Sequence, residues 1–152
     1  MQLSECIQRT ETHQFRIVFP NFLNDNFNLF GGIAMQWMDE VAYITAIRFT
    51  RMKVVTVSVD NLKFKKAIKP GEMVEIIGRV AKVGKVKLVI QVEIFVENSD
   101  SDQREQAVEA SFTFASVNSK NVPVLIDWEK ARNQGQKSDT KLSDKSEKSC
   151  AC

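Results

Sequence analysis

A carboxylate, a glycine pair and an asparagine-rich stretch are the residues of this chain best suited to chemistry. Residues 29–40 read LFGGIAMQWMDE, which sets Asp39 two helical turns beyond Gly31-Gly32 in a run that is otherwise almost pure hydrocarbon. A carboxylate buried there costs on the order of several kcal/mol unless something pairs with it or uses it. The start of a helix carries unpaired N–H groups and a partial positive charge. With glycine at that start, no side chain keeps an oxyanion away from those groups. A carboxylate near such a site can attack a carbonyl or deprotonate water. That combination suits ester or thioester hydrolysis. The structural alternatives are a tight turn for the glycines and a capped or ion-paired acid at a sheet edge for Asp39. The preceding NDNFNLF (24–30) holds three asparagines, which by themselves read as turn and cap chemistry.

Other catalytic machinery is missing. The chain has one histidine, His13, and Ser-His-Asp or Cys-His catalysis needs one within reach of the nucleophile. No G-x-S-x-G elbow occurs, and the cysteines and the histidine lack metal-ligand spacing. The expectation is no metal and no cofactor, with His13 on a strand face.

Charge narrows the partners. Residues 131–152 carry five basic side chains against three acids, so the formal +2 resides there and residues 1–130 balance at 16 against 16. A neutral core has no broad basic field, which argues against nucleic acid. No apolar run reaches the ~18 residues of a membrane span. The opening MQLSECIQRTE is too polar for a secretory signal, and three scattered cysteines suggest no disulfide framework; a cytoplasmic location is expected. Cys150-Ala151-Cys152 has something of a prenylation signal, but reads better as two incidental thiols.

Periodicity supplies the elements that must position these residues. In KVKLVIQVEIFVE (85–97), Val86, Leu88, Ile90, Val92, Ile94 and Val96 alternate with polar residues, predicting a half-buried strand. VVTVSVDNLKF (54–64), EMVEIIGRVAKV (72–83) and EQAVEASFTFASV (105–117) predict three more, and THQFRIVFP a first one ending at Pro20. Between the first and second lies a helix over roughly 31–49. It is apolar on every side, so a buried helix is expected. The tail 131–152 has nothing to bury and is expected to be disordered, leaving 1–130 as one domain. An α+β fold follows, the hot-dog fold: a five-stranded antiparallel sheet wrapped around one long helix.

These stretches resemble the hot-dog acyl-CoA thioesterases. The similarity rests on VFPN (18–21), Asn24, LFGGIAMQWMDEVA (29–42), VVTVSVD (54–60), F-x-x-x-I-x-x-G (64–71) and VEIFVE (92–97), spanning about residues 11–126. The resemblance implies that Asp39 is the catalytic general base or nucleophile and that Asn24 works with it. It further implies that Gly31 and Gly32 polarise the thioester carbonyl and that Thr56 lines the site. Fatty acyl-CoA is the implied substrate, with coenzyme A as part of it rather than a cofactor. The implied assembly is a homo-oligomer of dimers, as trimers of dimers, with sites between subunits. Arg48, Lys63, Lys65 and Lys85 are candidates for the phosphates of coenzyme A, along with Arg51 and Lys66; a solvated strand face accounts for them equally well. Phe27 stands where relatives have glycine, Ala67 replaces a common proline, and Val86-Lys87 replace a Thr-Ser pair. Hydration or dehydration of an acyl thioester, or acyl-CoA binding without catalysis, are the rival readings on this scaffold. The dehydratase motif needs a histidine that is absent.

Overall fold

The computed structural model describes residues 2–129, so the predicted disordered tail and its two cysteines lie outside the described residues. Helix α1 (Leu3–Thr10) leads into strand β1 (Thr12–Ile17), a 3-10 turn (Pro20–Phe22) and the long helix α2 (Gly31–Thr50). Four strands follow: β2 (Val54–Phe64), β3 (Met73–Val83), β4 (Lys87–Glu97) and β5 (Arg104–Ser116). They form one antiparallel sheet in the order β1-β3-β4-β5-β2, with α2 across one face. This is the sheet and helix that the sequence pattern predicts. Helix α1 was not foreseen.

Strand β4 shows why the pattern is readable. Leu88, Ile90, Val92, Ile94 and Val96 are all buried, while the residues between them are partly exposed. That is the period-2 signature of a strand with one face on a core. Across it, Val74, Ile76 and Val80 of β3 and Val108, Ala110, Phe112 and Phe114 of β5 complete the surface under the helix. Gly78 lets the two layers approach: a Cβ there would stand 2.6 Å from Thr45 Oγ1 and 3.0 Å from Val41 Cγ1. The buried hydroxyls of Thr45 and Thr50 donate to the carbonyls of Val41 and Ala46, each at 2.8 Å, so the core holds no unpaired oxygen there.

The helix departs from the expectation of burial all round. Trp37, Met38, Val41, Ala42, Ala46 and Phe49 are buried, but Gly32, Gln36, Glu40, Tyr43 and Ile44 form an exposed stripe. The sheet covers one side of α2 only. Its edge strand β2 is also open: Val55 and Val57 are exposed, with register shifts between Thr56 and Ser58 and between Asp60 and Lys63. Asn61, inside the second shift, has φ 53°, as an irregular edge position allows. An uncovered helix stripe and an apolar free edge belong to the same side of one chain.

Candidate functional site

The N-terminus of α2 is uncapped. Phe30, the residue before it, supplies no side-chain hydrogen bond, and no acid lies in the first turn. The Phe30 carbonyl accepts the N–H groups of Ile33 at 3.0 Å and Ala34 at 3.1 Å. Those of Gly31 and Gly32 have no partner among the described residues. Two unclaimed donors at the positive end of a 20-residue helix are what an oxyanion requires. Aromatic rings pack over both glycines: a Cβ on Gly31 would lie 3.3 Å from Phe64 Cζ, and one on Gly32 2.7 Å from Phe30 Cε1. Larger residues at either position would have to displace those rings.

A loop anchored on Asn24 forms the adjoining wall. Asn24 Oδ1 accepts the N–H groups of Asn26 at 3.0 Å and Asn28 at 3.1 Å, and its own N–H donates to the Asn28 carbonyl at 2.8 Å. An atom accepting two N–H groups must be the oxygen, which leaves the side-chain NH₂ as the free donor. The loop is tied to the sheet side through Leu29 N–H to Ile68 O at 2.7 Å. The knot forces Phe27 to φ 58° with its ring 75% exposed. So the site where the resemblance expects glycine does adopt the left-handed conformation that glycine favours, and here a phenylalanine bears that strain.

Asn24, Gly31 and Phe64 open onto one cavity of about 350 Å³, walled by Leu29, Ala34, Ile68 and Val108 with Lys65 and Lys66 beside them. Asp39 does not line it. Eight residues beyond Gly31, its Cα lies roughly 12 Å along the helix axis. There Asp39 Oδ1 accepts a hydrogen bond from Thr56 Oγ1 of β2 at 3.3 Å. Asp39 is half-buried rather than buried, so the desolvation that its neighbours in sequence suggest is only partly present in one chain. A single chain therefore brings Asn24 to Gly31 and, separately, Asp39 to Thr56.

The candidate cations divide. Arg48 is committed to structure: its guanidinium donates to the carbonyls of Arg9, Thr10 and Glu11 at 2.9, 3.3 and 2.9 Å and to Thr12 Oγ1 at 3.0 Å. It satisfies the C-terminal carbonyls of α1, as a cation at a helix end should. Lys65 bonds Gln106 Oε1 at 2.7 Å and pairs with Glu109 at 3.2 Å, while Lys66 pairs with Glu105 at 2.9 Å. Lys63 is exposed with Glu109 at 4.0 Å, and Lys85 is exposed in the β3–β4 turn. Arg51 ends α2 in the left-handed conformation, φ 53°. Of the cavity's lining, Leu29, Gly31 and Ala34 lie in the stretch 29–42 and Phe64 and Ile68 in F-x-x-x-I that carry the resemblance, whereas nothing in the sequence pointed to Val108 as a wall.

His13 lies on the opposite sheet face from α2, as its strand position suggests. Its ring nitrogens meet two carboxylates, Glu75 Oε1 at 2.5 Å and Glu11 Oε1 at 2.6 Å. Both ring positions need a proton to serve those acceptors, so the arrangement favours imidazolium. The Glu75 hydrogen bond is the main cause that raises the His13 pKa; burial opposes it, and the Glu11 hydrogen bond and both nearby carboxylate charges add to the rise. Arg79, bonded to Glu11 at 2.6 Å, holds the Glu11 carboxyl below its ordinary range. Glu75, only 4% exposed, also pairs with Arg104 at 2.5 Å. Among the described residues no cluster is arranged to hold a metal ion, and no helix is long and apolar enough to cross a membrane.

Comparison with known proteins accords with this architecture. The Thioesterase superfamily model matches residues 27–102. An uncharacterized acyl-CoA thioester hydrolase of Bacillus subtilis (strain 168) is 34% identical over 72% of this chain and 63% of its own length. A cytosolic acyl coenzyme A thioester hydrolase of Rattus norvegicus is 35% identical over 63% of this chain and 26% of its own, so this chain spans just under two thirds of the first relative and about a quarter of the second. The acyl-CoA hydrolase of Staphylococcus aureus, solved with butyryl coenzyme A and coenzyme A, superposes with TM-score 0.76 at 25% identity, covering 90% of this chain and 94% of that one. With the family model spanning half of its length, and with the sheet order and the open helix start in place, the chain belongs to the Thioesterase superfamily.

Proposed function

We propose that this protein is an acyl-CoA thioester hydrolase. The observation that carries the reading is the uncapped start of α2, with two unclaimed glycine N–H groups, Gly31 lining the adjoining cavity, and a carboxylate farther along the same helix. The thioester carbonyl oxygen sits against the Gly31 and Gly32 donors, which take up the negative charge that develops as the carbonyl carbon becomes tetrahedral. Asp39 either takes a proton from the attacking water or attacks the carbonyl itself and is later freed by water. In both routes the C–S bond breaks, the sulfur leaves as thiolate and gains a proton, and a free carboxylic acid remains. Thr56 orients the Asp39 carboxylate, and the Asn24 NH₂ group orients water or carbonyl. Neither route needs a cofactor beyond the substrate, and we place the enzyme in the cytoplasm.

The family relatives support the reading. Alanine variants of the Staphylococcus aureus hydrolase are known at an asparagine, an aspartate and a threonine set 15 and 17 residues apart. Asn24, Asp39 and Thr56 have that spacing. A hexameric thioesterase of Yersinia pestis, 32% identical with TM-score 0.70, supports a homo-oligomer in which the open stripe of α2 and the free edge of β2 are covered by a second copy. Such a dimer brings Asn24 of one chain to Asp39 of the other, which one chain leaves apart. Coenzyme A phosphates then meet exposed cations, Lys63 and Lys85 in particular, since Arg48 is already engaged. Release of free thiol from acyl-CoA esters, followed with a thiol-reactive dye, tests the proposal. No release from any chain length by the folded oligomer would overturn it.

A further inference from the structure

We propose that the end of the sheet carrying the β3–β4 turn docks on an anionic membrane surface, where Arg51, Lys82, Lys87 and Lys120 meet lipid headgroups and Val122 and Leu125 enter the interface between them. Three segments meet at this end. Ser116, which closes β5, donates its N–H to Val86 O at 2.9 Å, Val117 donates to Lys53 O at 3.0 Å, and Ile126 to Lys85 O at 2.7 Å. Lys53 Nζ reaches Asn121 Oδ1 at 2.8 Å. Residues 117–126 thus run across the end of the sheet, from the start of β2 to the β3–β4 turn.

The even charge of residues 1–130 conceals a separation along the sheet. Residues 51–53, 82–87 and 117–129 hold six cations against two acids, Asp127 and Glu129. The opposite end, the β4–β5 connection over 97–105, holds four acids and one cation. Arg16, Lys65, Lys66, Arg79 and Arg104 are committed to carboxylates of their own chain. Among the described residues, Arg51, Lys82, Lys87 and Lys120 have no ion pair, and all four are exposed. Beside them Leu125 is 68% exposed and Val122 51%. A second copy of this chain fits the surface poorly, because two-fold pairing sets like charge on like. Nucleic acid meets the lysines but lays a charged backbone against Val122 and Leu125. Cations interleaved with exposed aliphatic side chains match a lipid interface, which attracts the charge and takes the apolar groups into its headgroup boundary. Helix α2 has 20 residues, so Gly31 lies roughly 30 Å from Arg51 and docking does not cover the helix start.

Sedimentation of the full chain with phosphatidylcholine vesicles, with and without phosphatidylserine, tests the docking without reference to turnover. Binding should require the anionic lipid and weaken as salt rises. Combined Lys82→Gln, Lys87→Gln and Lys120→Gln should lower the partition coefficient about a hundredfold, at roughly fivefold per cation. Leu125→Ser should lower it several-fold at unchanged charge. Lys69→Gln, at an exposed cation of the opposite end, should leave it unchanged. Should the triple variant fail to fold, Lys120→Gln with Leu125→Ser, both in the exposed 117–126 segment, should still lower binding more than tenfold. Equal binding to neutral vesicles, an equal loss in Lys69→Gln, or full binding by Leu125→Ser overturns membrane docking. So does a duplex oligonucleotide bound as tightly as the anionic vesicles. Calorimetry with coenzyme A separates the other source of phosphate. The triple variant should bind it as the natural chain does, and a many-fold loss would give these lysines to coenzyme A instead.

Discussion

Thr56 on the edge strand β2 donates its hydroxyl to the Asp39 carboxylate on α2 across 3.3 Å. This bond joins the open side of the helix to the open edge of the sheet, and it fixes one of the two Asp39 oxygens. The other oxygen is left for water or substrate. Asp39→Ala should therefore lower kcat by about 10²–10⁴, the range for a general base, with substrate affinity retained. Thr56→Val, which removes an orienting donor, should cost about tenfold in kcat with KM little changed, and Thr56→Ser should restore most of it. Steady-state kinetics on the three variants decide the matter; equal losses in kcat for Ser and Val would exclude the hydroxyl as the orienting group.

Phe27 carries a conformational cost with no compensating burial. At φ 58° and 75% exposed, it pays about 1–2 kcal/mol for the left-handed backbone. Phe27→Gly removes that strain but adds back about 0.5–1 kcal/mol of unfolded-chain entropy. The net expectation is a gain of up to about 1 kcal/mol, or a few degrees in Tm. Calorimetry of the variant checks it. A lowered Tm would mean that the ring makes stabilising contacts, such as those with a second subunit.

Arg48 separates a structural cation from a ligand-binding one. Its four hydrogen bonds tie the end of α1 and the start of β1 to α2. Bonds from a charged donor contribute about 1.5–3 kcal/mol, so Arg48→Met should destabilise the fold by roughly that amount and expose the α1 amides to hydrogen exchange. KM for acyl-CoA should hold at temperatures where the variant is folded. A many-fold rise in KM without loss of stability would return Arg48 to the phosphate site.

How far the sequence could be read is clear from these residues. β4 was legible because its period is unbroken over 11 residues and its buried side is a single core. The limits of α2 were legible from the glycine pair and from the apolar run between them and Thr50. The partner of Arg48 was not, because a positive charge in a sequence says nothing of which carbonyls will lie near it. Nor was α1, which spans only eight residues and buries just Cys6 and Thr10; packing on α2 and the capping by Arg48 stabilise it more than propensity does. Strand order also escaped, since β2 lies beside β5 in the sheet although β3 and β4 separate them along the chain. The Asp39 environment was overstated for the same reason: sequence neighbours such as Trp37 and Met38 are buried, but they lie on other sides of the helix.

His13 makes stability depend on pH. Its pKa is raised in the folded chain, so its contribution is complete below the ordinary histidine value of about 6.5 and is lost as pH rises through the folded value. Glu11 acts oppositely: its lowered pKa gives stability above the ordinary carboxylate range, lost as pH falls through the folded value. Urea midpoints should thus peak in mildly acidic solution and decline on both sides. His13 is the one histidine, so His13→Gln should abolish the decline on the side just above pH ~6.5. A variant that retains the same slope there would place the titrating group elsewhere.

The last prediction concerns where one site obtains its parts. Within a chain, Asn24 and the free N–H groups of Gly31 and Gly32 lie at the start of α2, while Asp39 and Thr56 lie roughly 12 Å along it. A carbonyl held at the glycines is then beyond hydrogen-bond reach of its own chain's Asp39. A two-fold partner on the open side of α2 can present its Asp39 to the first chain's helix start, and symmetry makes two such sites. Take Asn24→Ala and Asp39→Ala, each inactive alone, unfold them together and allow them to reassemble. Every mixed dimer contains one site with both natural residues and one with both substitutions. Activity should return to about half of the natural value per mixed dimer, or about a quarter overall if pairing is random. Should Asn24 and Asp39 of one chain serve the same site, every site in the mixture stays damaged. No recovery, with mixed oligomers verified by native mass spectrometry, would then show that each chain builds its own site.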